Sequence, residues 1–249
     1  MRQEDRRSIL NSKETHVDLK GAVAIVTGGS EGIGGAIAEA LKTEGGLVTI
    51  TGRREALLRA AADEMEVDWI AGDVGIEADA VRTVAEVIAK HGRLDILVNN
   101  AGYGVFKPLV EMEMAELEGV YRTNVFGAFL MAREAARQFV KQGSGELINI
   151  SSTSGLKGGR GSTAYSSSKF ALRGMTECWR DELRRSNVRV TLVNPSEVLT
   201  EFAAKGSRQQ EVTAKKLRAQ EIADAIIGAL KVDKRGFIPE FSVFATNPF

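Results

Sequence analysis

The sequence predicts a single-domain α/β protein built on a doubly wound parallel sheet. Short apolar runs alternate along the chain with longer amphipathic runs, as is typical of repeated βαβ units. The length of 249 residues suits one such core, and no repeat or glycine- and proline-rich linker divides it. We therefore expect one domain over residues 19–249, preceded by a flexible polar leader at residues 1–18.

Six segments are predicted to be strands, because each is short, apolar and followed by turn-forming residues. They cover residues 23–27, 47–51, 67–72, 94–99, 146–151 and 188–194. Apolar residues recur at helical spacing over residues 34–45, 54–65, 77–92 and 113–143. About seven strands are expected in all, with helices on both faces, so a ligand should bind outside the carboxyl ends of the strands.

Composition and charge disfavour several classes of function. The 33 basic residues are balanced by 33 acidic ones, so the chain lacks the basic excess that nucleic-acid binding uses. No apolar run approaches the roughly 18 residues of a membrane span, and the leader lacks the apolar core of a signal peptide, so a cytoplasmic protein is expected. Cys178, the single cysteine, is predicted to be a small buried apolar residue. The two histidines lie far apart in sequence, so no metal site is expected.

A glycine-rich turn, TGGSEGIG, follows the first strand and opens the first helix. Gly28, Gly32 and Gly34 permit a tight turn and a close approach of the backbone to a ligand. The helix that follows presents its free N–H groups and its dipole to a pyrophosphate. The segment therefore predicts a dinucleotide site, with a packing role for the glycines as the alternative.

The end of the second strand bears on which dinucleotide binds. NAD-binding proteins of this kind place an acidic residue about 20 residues after the glycine turn, whereas this chain has Arg53 and Arg54. Guanidinium groups favour the 2′-phosphate of NADP, unless both arginines are simply solvated. Glu31, inside the glycine turn, would repel that phosphate. NADP is therefore the favoured cofactor, and NAD is the alternative.

Polar residues also follow the third and fourth strands. Asp73 suits either an adenine amino group or the capping of the next helix. In the motif NNAG, Asn100 is followed by Ala101 and Gly102, two small residues that let a ribose or a flat ring approach the backbone. Because these strand ends meet at one edge of the sheet, the residues are predicted to line one crevice.

Tyr165 and Lys169 lie one helical turn apart in AYSSSKFALRG. They share a face of the helix and can reach one ligand. The ammonium is expected to lower the phenol pKa from about 10, which suits Tyr165 for general acid–base catalysis; a surface pair is the alternative. Ser152, after the fifth strand, is predicted to face the same crevice. A serine hydrolase is disfavoured because neither His16 nor His91 lies at a plausible crevice position.

Taken in order, TGGSEGIG, NNAG, Asn124 in YRTNVFG, NISS, YSSSK and NPSEVLT resemble the motifs of classical short-chain dehydrogenases/reductases, over essentially the whole chain after the leader. The resemblance implies a Rossmann-type fold and a catalytic tetrad of Asn124, Ser152, Tyr165 and Lys169. It implies that Ser152 orients the substrate oxygen and that Tyr165 transfers the proton. It also implies that Lys169 holds the nicotinamide ribose and lowers the tyrosine pKa, while Asn124 anchors a water in a proton relay.

The resemblance extends to cofactor contacts, with one departure, since Pro195-Ser196 stands where the family usually has Pro-Gly. The implied cofactor-binding residues are Gly28, Ser30, Gly32, Ile33, Gly34, Arg53, Asp73, Val74, Asn100, Ala101, Gly102, Tyr165, Lys169, Pro195, Val198 and Thr200. The implied assembly is a homotetramer or dimer. A polar segment at residues 194–220 is predicted to be a mobile flap, and the apolar tail RGFIPEFSVFATNPF is expected to be covered by a neighbouring subunit.

We therefore expect an NADP-dependent oxidoreductase that reduces a ketone to a secondary alcohol. The resemblance includes 3-oxoacyl-[acyl-carrier-protein] reductases, so a 3-oxoacyl thioester on a carrier is one expected substrate. An NAD-dependent alcohol, hydroxysteroid or sugar dehydrogenase of the same family is an alternative. A non-catalytic NADP sensor on the same fold is another, although an intact tetrad argues against it.

Overall fold

The computed structural model describes residues 17–199 and 215–247, and within this part seven strands form one parallel sheet. The strands are Val23–Thr27 (β1), Leu47–Gly52 (β2), Asp68–Ala71 (β3), Ile96–Asn99 (β4), Gly145–Ile150 (β5), Val188–Pro195 (β6) and Glu240–Val243 (β7). Their order is β3-β2-β1-β4-β5-β6-β7, and every neighbouring pair is parallel. The doubly wound α/β fold is thereby confirmed. Most of the predicted leader and of the predicted flap lie outside the described residues.

Helices cover both faces of this sheet. They are Gly32–Thr43 (α1), Glu55–Met65 (α2), Glu77–His91 (α3), Met114–Tyr121 (α4), Ala128–Gln142 (α5), Thr163–Leu183 (α6) and Ala219–Leu230 (α7). On one face, α1, α2 and α7 contribute to one apolar core cluster. On the other face, α3 and α5 contribute to a second cluster. In the described part of the chain, no helix is long and apolar enough to cross a membrane.

Strand β1 shows why the central strands read as continuous apolar runs. All five of its residues are buried. Successive side chains of a strand point to opposite faces, and here Ala24 and Val26 enter one core cluster while Val23 and Ile25 enter the other. Because both faces of a parallel sheet are covered by helices, neither set of side chains meets water and no polar alternation is needed.

The predicted helix at residues 113–143 is divided by a π-helical turn at Arg122–Gly127. The apolar spacing continues through this turn, which is why the sequence pattern does not reveal it. The turn brings Gly127 close to the end of β3, where a Cβ on this glycine would lie 2.6 Å from Cγ2 of Val74. The same turn contains Asn124, which is buried.

The apolar tail contributes β7, so part of it is covered by the chain itself rather than by a neighbouring subunit. Phe241 and Val243 pack against the core, whereas Phe244 is exposed. The segment before β7 is held by Arg189 of β6, which donates hydrogen bonds to the carbonyl oxygens of Leu230 (2.9 Å), Val232 (2.8 Å) and Gly236 (3.1 Å).

The prediction that Cys178 is buried is wrong, because the structure places this residue on the exposed side of α6. Its neighbours two positions away on either side, Thr176 and Arg180, face inward: Thr176 is fully buried, and Arg180 donates a hydrogen bond to the carbonyl oxygen of Val190 (3.1 Å). A cysteine in an apolar sequence context is buried only if it falls on the inner face of its helix, and Cys178 falls on the outer face.

Candidate active site

A cavity of about 610 Å³ lies at the carboxyl edge of the sheet, where the segments following β1 to β6 converge. The strand order reverses at this position, between β1 and β4, which is where open α/β sheets bind ligands. The predicted residues that line it are Gly28, Ser30, Gly32, Ile33, Arg53, Asp73, Val74, Asn100, Ala101, Gly102, Ser152, Tyr165, Lys169, Pro195 and Val198. Gly34 and Asn124 are not part of its lining, and Thr200 lies outside the described residues.

The glycine turn is folded tightly on itself. Gly28 has a φ of 64°, in the left-handed region that favours glycine. A Cβ on Gly34 would lie 2.3 Å from the carbonyl oxygen of Gly28 and 2.4 Å from Nδ2 of Asn100, so no side chain fits there. Asn100 ties β4 to this turn, because its Nδ2 donates to the carbonyl oxygens of Thr27 (2.9 Å) and Gly28 (3.2 Å). Gly34 thus packs against the turn outside the cavity, while Gly32 and Ile33 at the N-terminus of α1 line the cavity.

The hydroxyl of Thr27, a residue that was not among the predicted ones, also holds two strand ends together. Its Oγ1 accepts hydrogen bonds from the backbone N–H groups of Asn100 (3.0 Å) and Ala101 (2.9 Å). The hydroxyl is buried at the end of β1 and joins the first and fourth strand ends. A threonine at the end of a strand is too common in sequences for this contact to be predicted from its type alone.

The charged residues at the far end of the cavity form two pairs. Glu31 of the glycine turn forms an ion pair with Arg54. Arg53 lies 3.9 Å from Asp73, measured from Nη1 to Oδ2, and its side chain is 62% exposed. The carboxylate of Glu31 is therefore countered by a neighbouring guanidinium, which the linear sequence does not reveal. Asp73 does not cap α3; its Oδ1 accepts a hydrogen bond from the N–H of Gly75 (2.9 Å).

Asn124 connects the loop after β4 to helix α6. Its Oδ1 accepts from the N–H of Tyr103 (3.0 Å), and its Nδ2 donates to the carbonyl oxygen of Tyr103 (2.9 Å) and to Oγ of Ser168 (3.0 Å). Ser168 in turn donates to the carbonyl oxygen of Tyr165 (2.7 Å). Ser168 was missed by sequence reasoning, although it lies between Tyr165 and Lys169 in the chain.

Ser152, Tyr165 and Lys169 come together at the near end of the cavity. Nζ of Lys169 donates a hydrogen bond to the carbonyl oxygen of Ile150 (2.7 Å) and lies 5.7 Å from the centre of the Tyr165 ring. Ser152 begins a short turn, and its Oγ accepts a hydrogen bond from the N–H of Ser154 (3.1 Å). The three side chains therefore face one space from two neighbouring elements, the end of β5 and the start of α6.

The electrostatics of this group differ from the expectation based on sequence. Burial raises the pKa of Tyr165, and a hydrogen bond from Ser152 offsets only part of that effect. Burial also lowers the pKa of Lys169 to about 8. The expected lowering of the Tyr165 pKa by Lys169 is therefore not found, because loss of water around both groups outweighs their proximity.

The seven-stranded parallel sheet, with a glycine turn and a Tyr–Lys pair at its carboxyl edge, defines a dinucleotide-binding type of α/β protein. Residues 22–211 match the family model described as short chain dehydrogenase, and the chain belongs to that family. An uncharacterized oxidoreductase of Staphylococcus saprophyticus is 34% identical over 236 residues, which cover 91% of this chain and 98% of the relative. The sex determination protein tasselseed-2 of Zea mays is 36% identical over 199 residues, which cover 77% of this chain and 59% of that protein.

Two solved structures share this fold over most of their length. An alcohol dehydrogenase from the archaeon Thermococcus sibiricus, complexed with 5-hydroxy-NADP, has a TM-score of 0.84 and 27% identity, covering 91% of this chain and 97% of its own. A metagenomic short-chain oxidoreductase in complex with NADP has a TM-score of 0.80 and 33% identity, covering 93% of this chain and 100% of its own. Within the described ranges, no group of three His, Cys, Asp or Glu residues is placed to hold a metal ion.

Proposed function

We propose that this protein is an NADP-dependent oxidoreductase that reduces a ketone to a secondary alcohol. The observation that carries the proposal is one continuous cavity, with the glycine turn and Arg53 at one end and Ser152, Tyr165 and Lys169 at the other. Its volume of about 610 Å³ lies within the range of cofactor sites. Membership of the short-chain dehydrogenase family and two NADP-bound structural neighbours support the choice of cofactor.

From one end of the cavity to the other, the lining residues fit successive parts of NADP. Gly28, Gly32 and the N-terminus of α1 would hold the pyrophosphate through backbone N–H groups. Arg53 would contact the 2′-phosphate, and the small Ala101 and Gly102 would lie beside a ribose. When bound, the dinucleotide supplies the hydride, and the protein supplies the binding, the orientation and the proton.

Tyr165 is the proposed proton donor. Its raised pKa keeps the phenol protonated at neutral pH, which suits donation to the alkoxide that develops during reduction. Ser152, hydrogen-bonded to the same phenol, would orient the substrate oxygen. Lys169, with a pKa of about 8, carries a positive charge at pH 7 and would stabilise the phenolate left after proton transfer. The role of Asn124 would be to hold α6, and hence Tyr165, through Ser168.

The proposal is tested by Tyr165→Phe, which removes only the proton donor. Turnover of ketones with NADPH should fall by about 100-fold or more, while NADPH binding, followed by nicotinamide fluorescence, should be retained. The matched control is Tyr103→Phe, which removes the hydroxyl of the other tyrosine lining the cavity and should keep its activity. Undiminished turnover in Tyr165→Phe would overturn the assignment, and tight NADPH binding without turnover of any carbonyl would favour a sensor.

Two finer points belong to this proposal. A carrier-bound 3-oxoacyl thioester is one candidate substrate within this proposal, and acetoacetyl-CoA in the ketone panel tests it. A homotetramer is supported by the exposed apolar side chains Phe126, Phe129 and Phe170 in and beside α5 and α6. Sedimentation equilibrium tests the assembly, and a monomer at micromolar concentration would overturn it.

A further inference from the structure

An aromatic pair lies next to the catalytic end of the cavity: Tyr165 lines the cavity, and Phe106 packs against Tyr165 outside the lining. The rings of Phe106 and Tyr165 have their centres 5.5 Å apart and are inclined by 55°. Gly104 lies between them, since a Cβ there would be 2.7 Å from Cε2 of Phe106 and 3.2 Å from Cδ2 of Tyr165. Phe106 therefore lies across Gly104 and continues the apolar surface of Gly104 and Tyr165 towards the outside of the protein.

The loop that carries Phe106 is fixed on both sides of it. Upstream, Asn124 binds both the N–H and the carbonyl of Tyr103. Downstream, the N–H of Lys107 donates to the carbonyl oxygen of Gly161 (2.8 Å), and its ammonium pairs with Glu116. Phe106 is nevertheless 38% exposed, so a fixed apolar surface next to Tyr165 is left uncovered within the described part of the chain.

This end of the cavity offers little to a charged substrate. Apart from Lys169, the described lining residues here are uncharged: Tyr103, Gly104, Ser152, Tyr165, Ser196 and Val198. Nζ of Lys169 is bound to the carbonyl oxygen of Ile150, and the nearby Lys107 is paired with Glu116. A carboxylate or phosphate placed against these residues would meet mainly uncharged groups, so an uncharged substituent is favoured here.

Resting on the proposed function, we infer that the substrate is an uncharged ketone with a flat, preferably aromatic, substituent, and that Phe106 selects it by ring contact. A flat ring seated against Phe106 would continue the Phe106–Tyr165 pair and place its carbonyl near the Tyr165 hydroxyl. Leu156, which ends the short turn begun by Ser152 and is half-exposed, adds apolar surface beyond Ser152.

The experiment compares three ketones with NADPH in steady state: acetophenone, cyclohexyl methyl ketone and 4-acetylbenzoate. They differ in ring flatness and in charge while keeping a methyl ketone. We expect kcat/KM to be about tenfold higher for acetophenone than for either of the others. Phe106→Leu should lose this preference, mainly through a higher KM for acetophenone, and Phe106→Tyr should keep it. Phe244→Leu, a change at an exposed phenylalanine beyond β7, serves as the matched control and should match the unmodified protein.

Three outcomes overturn the inference, and they can be distinguished. Equal kcat/KM for the three ketones, or a preference for 4-acetylbenzoate, overturns the inference alone. An equal loss for all ketones in Phe106→Leu shows that Phe106 only holds Tyr165 and selects nothing. Absence of NADPH oxidation with every ketone overturns the proposed function and this inference with it.

Discussion

The choice between NADPH and NADH should depend on Arg53 and Glu31, two charged residues that line the cavity. Arg53 is more exposed than buried and lies 3.9 Å from Asp73, while Arg54 is occupied by Glu31. We therefore expect Arg53→Ala to weaken NADPH binding without changing NADH binding. Glu31→Gln should strengthen NADPH binding, because it releases Arg54 for the 2′-phosphate and removes a negative charge beside it.

The size of both effects follows from the exposure of the groups. A hydrogen bond to a charged partner contributes about 1.5–3 kcal/mol. Because Arg53 is 62% exposed and shared with Asp73, solvent screening reduces its contribution to about 1–2 kcal/mol. This corresponds to NADPH affinity about 5- to 30-fold lower in Arg53→Ala, since a factor of ten is about 1.4 kcal/mol. For Glu31→Gln we expect affinity about 3- to 10-fold higher, because the released Arg54 is also exposed.

The assay is titration of each protein with NADPH and with NADH, followed by nicotinamide fluorescence at low and at high salt. Arg59→Ala, at an exposed arginine of α2 paired with Asp63, is the matched control for loss of a surface charge. The differences should shrink at high salt because exposed charges are screened. Equal weakening of both cofactors by Arg53→Ala, or weaker NADPH binding in Glu31→Gln, would refute the reasoning.

Two further predictions concern stability. Lys169→Met should raise the free energy of unfolding by about 2 kcal/mol at pH 7. Burial lowers the folded pKa of Lys169 from 10.5 to about 8, a cost of about 3.4 kcal/mol for its charge, and loss of the hydrogen bond to Ile150 offsets about 1 kcal/mol of the gain. The cost of the charge disappears as pH rises from 8 to 10.5. The difference in unfolding free energy between Lys169→Met and the unmodified protein, measured by urea unfolding, should therefore be smaller at pH 10. A difference that does not change with pH would contradict the explanation. Gly34→Ala should destabilise the fold by about 1–3 kcal/mol and abolish NADPH binding, since its Cβ would lie 2.3 Å from the carbonyl oxygen of Gly28. Gly35→Ala, with its nearest neighbour at 3.6 Å, should be tolerated in both thermal unfolding and NADPH titration, and equal damage by the two would refute the steric argument.

Much of the fold could be predicted from the sequence, because burial on both faces of a parallel sheet leaves a simple signal. Strand β1 was predicted at residues 23–27 and is found at Val23–Thr27. Helix α3 was predicted at residues 77–92 and ends at His91, with Gly92 in the left-handed conformation after it. Strand β7 and helix α7 were not among the predicted segments. Strand β7 takes up only four residues of the apolar tail, whereas the buried residues of α7 recur at helical spacing and could have been predicted.

The positions of the site residues could be predicted more fully than their interactions. Motifs at strand ends must meet at one edge of a parallel sheet, so Ser152, Tyr165 and Lys169 could be placed together from sequence. The ion pair between Glu31 and Arg54 joins two loops that are far apart in sequence, so the spacing of residues along the chain does not predict it. The raised pKa of Tyr165 depends on how far the folded chain excludes water from the phenol, and this burial cannot be predicted from a local motif.

The contacts of Asn124 could not be predicted either, because this residue lies in the π-helical turn. From that turn, Asn124 binds Tyr103 and Ser168. Helical periodicity predicts the face on which a side chain lies, and one extra residue in a turn shifts that face. The sequence therefore identified Asn124 by its motif but could not identify what it binds.

The place of β7 in the sheet has a consequence for how the chain reaches its native state. All eight residues of β6 are buried, and β7 is both its outer neighbour and the last strand in sequence. During synthesis, β6 therefore emerges without its second partner and exposes a row of unpaired backbone groups beside an apolar surface. In the folded protein, Arg189 of β6 binds three carbonyl groups of the segment that precedes β7, and so joins that segment to β6 independently of the strand pairing.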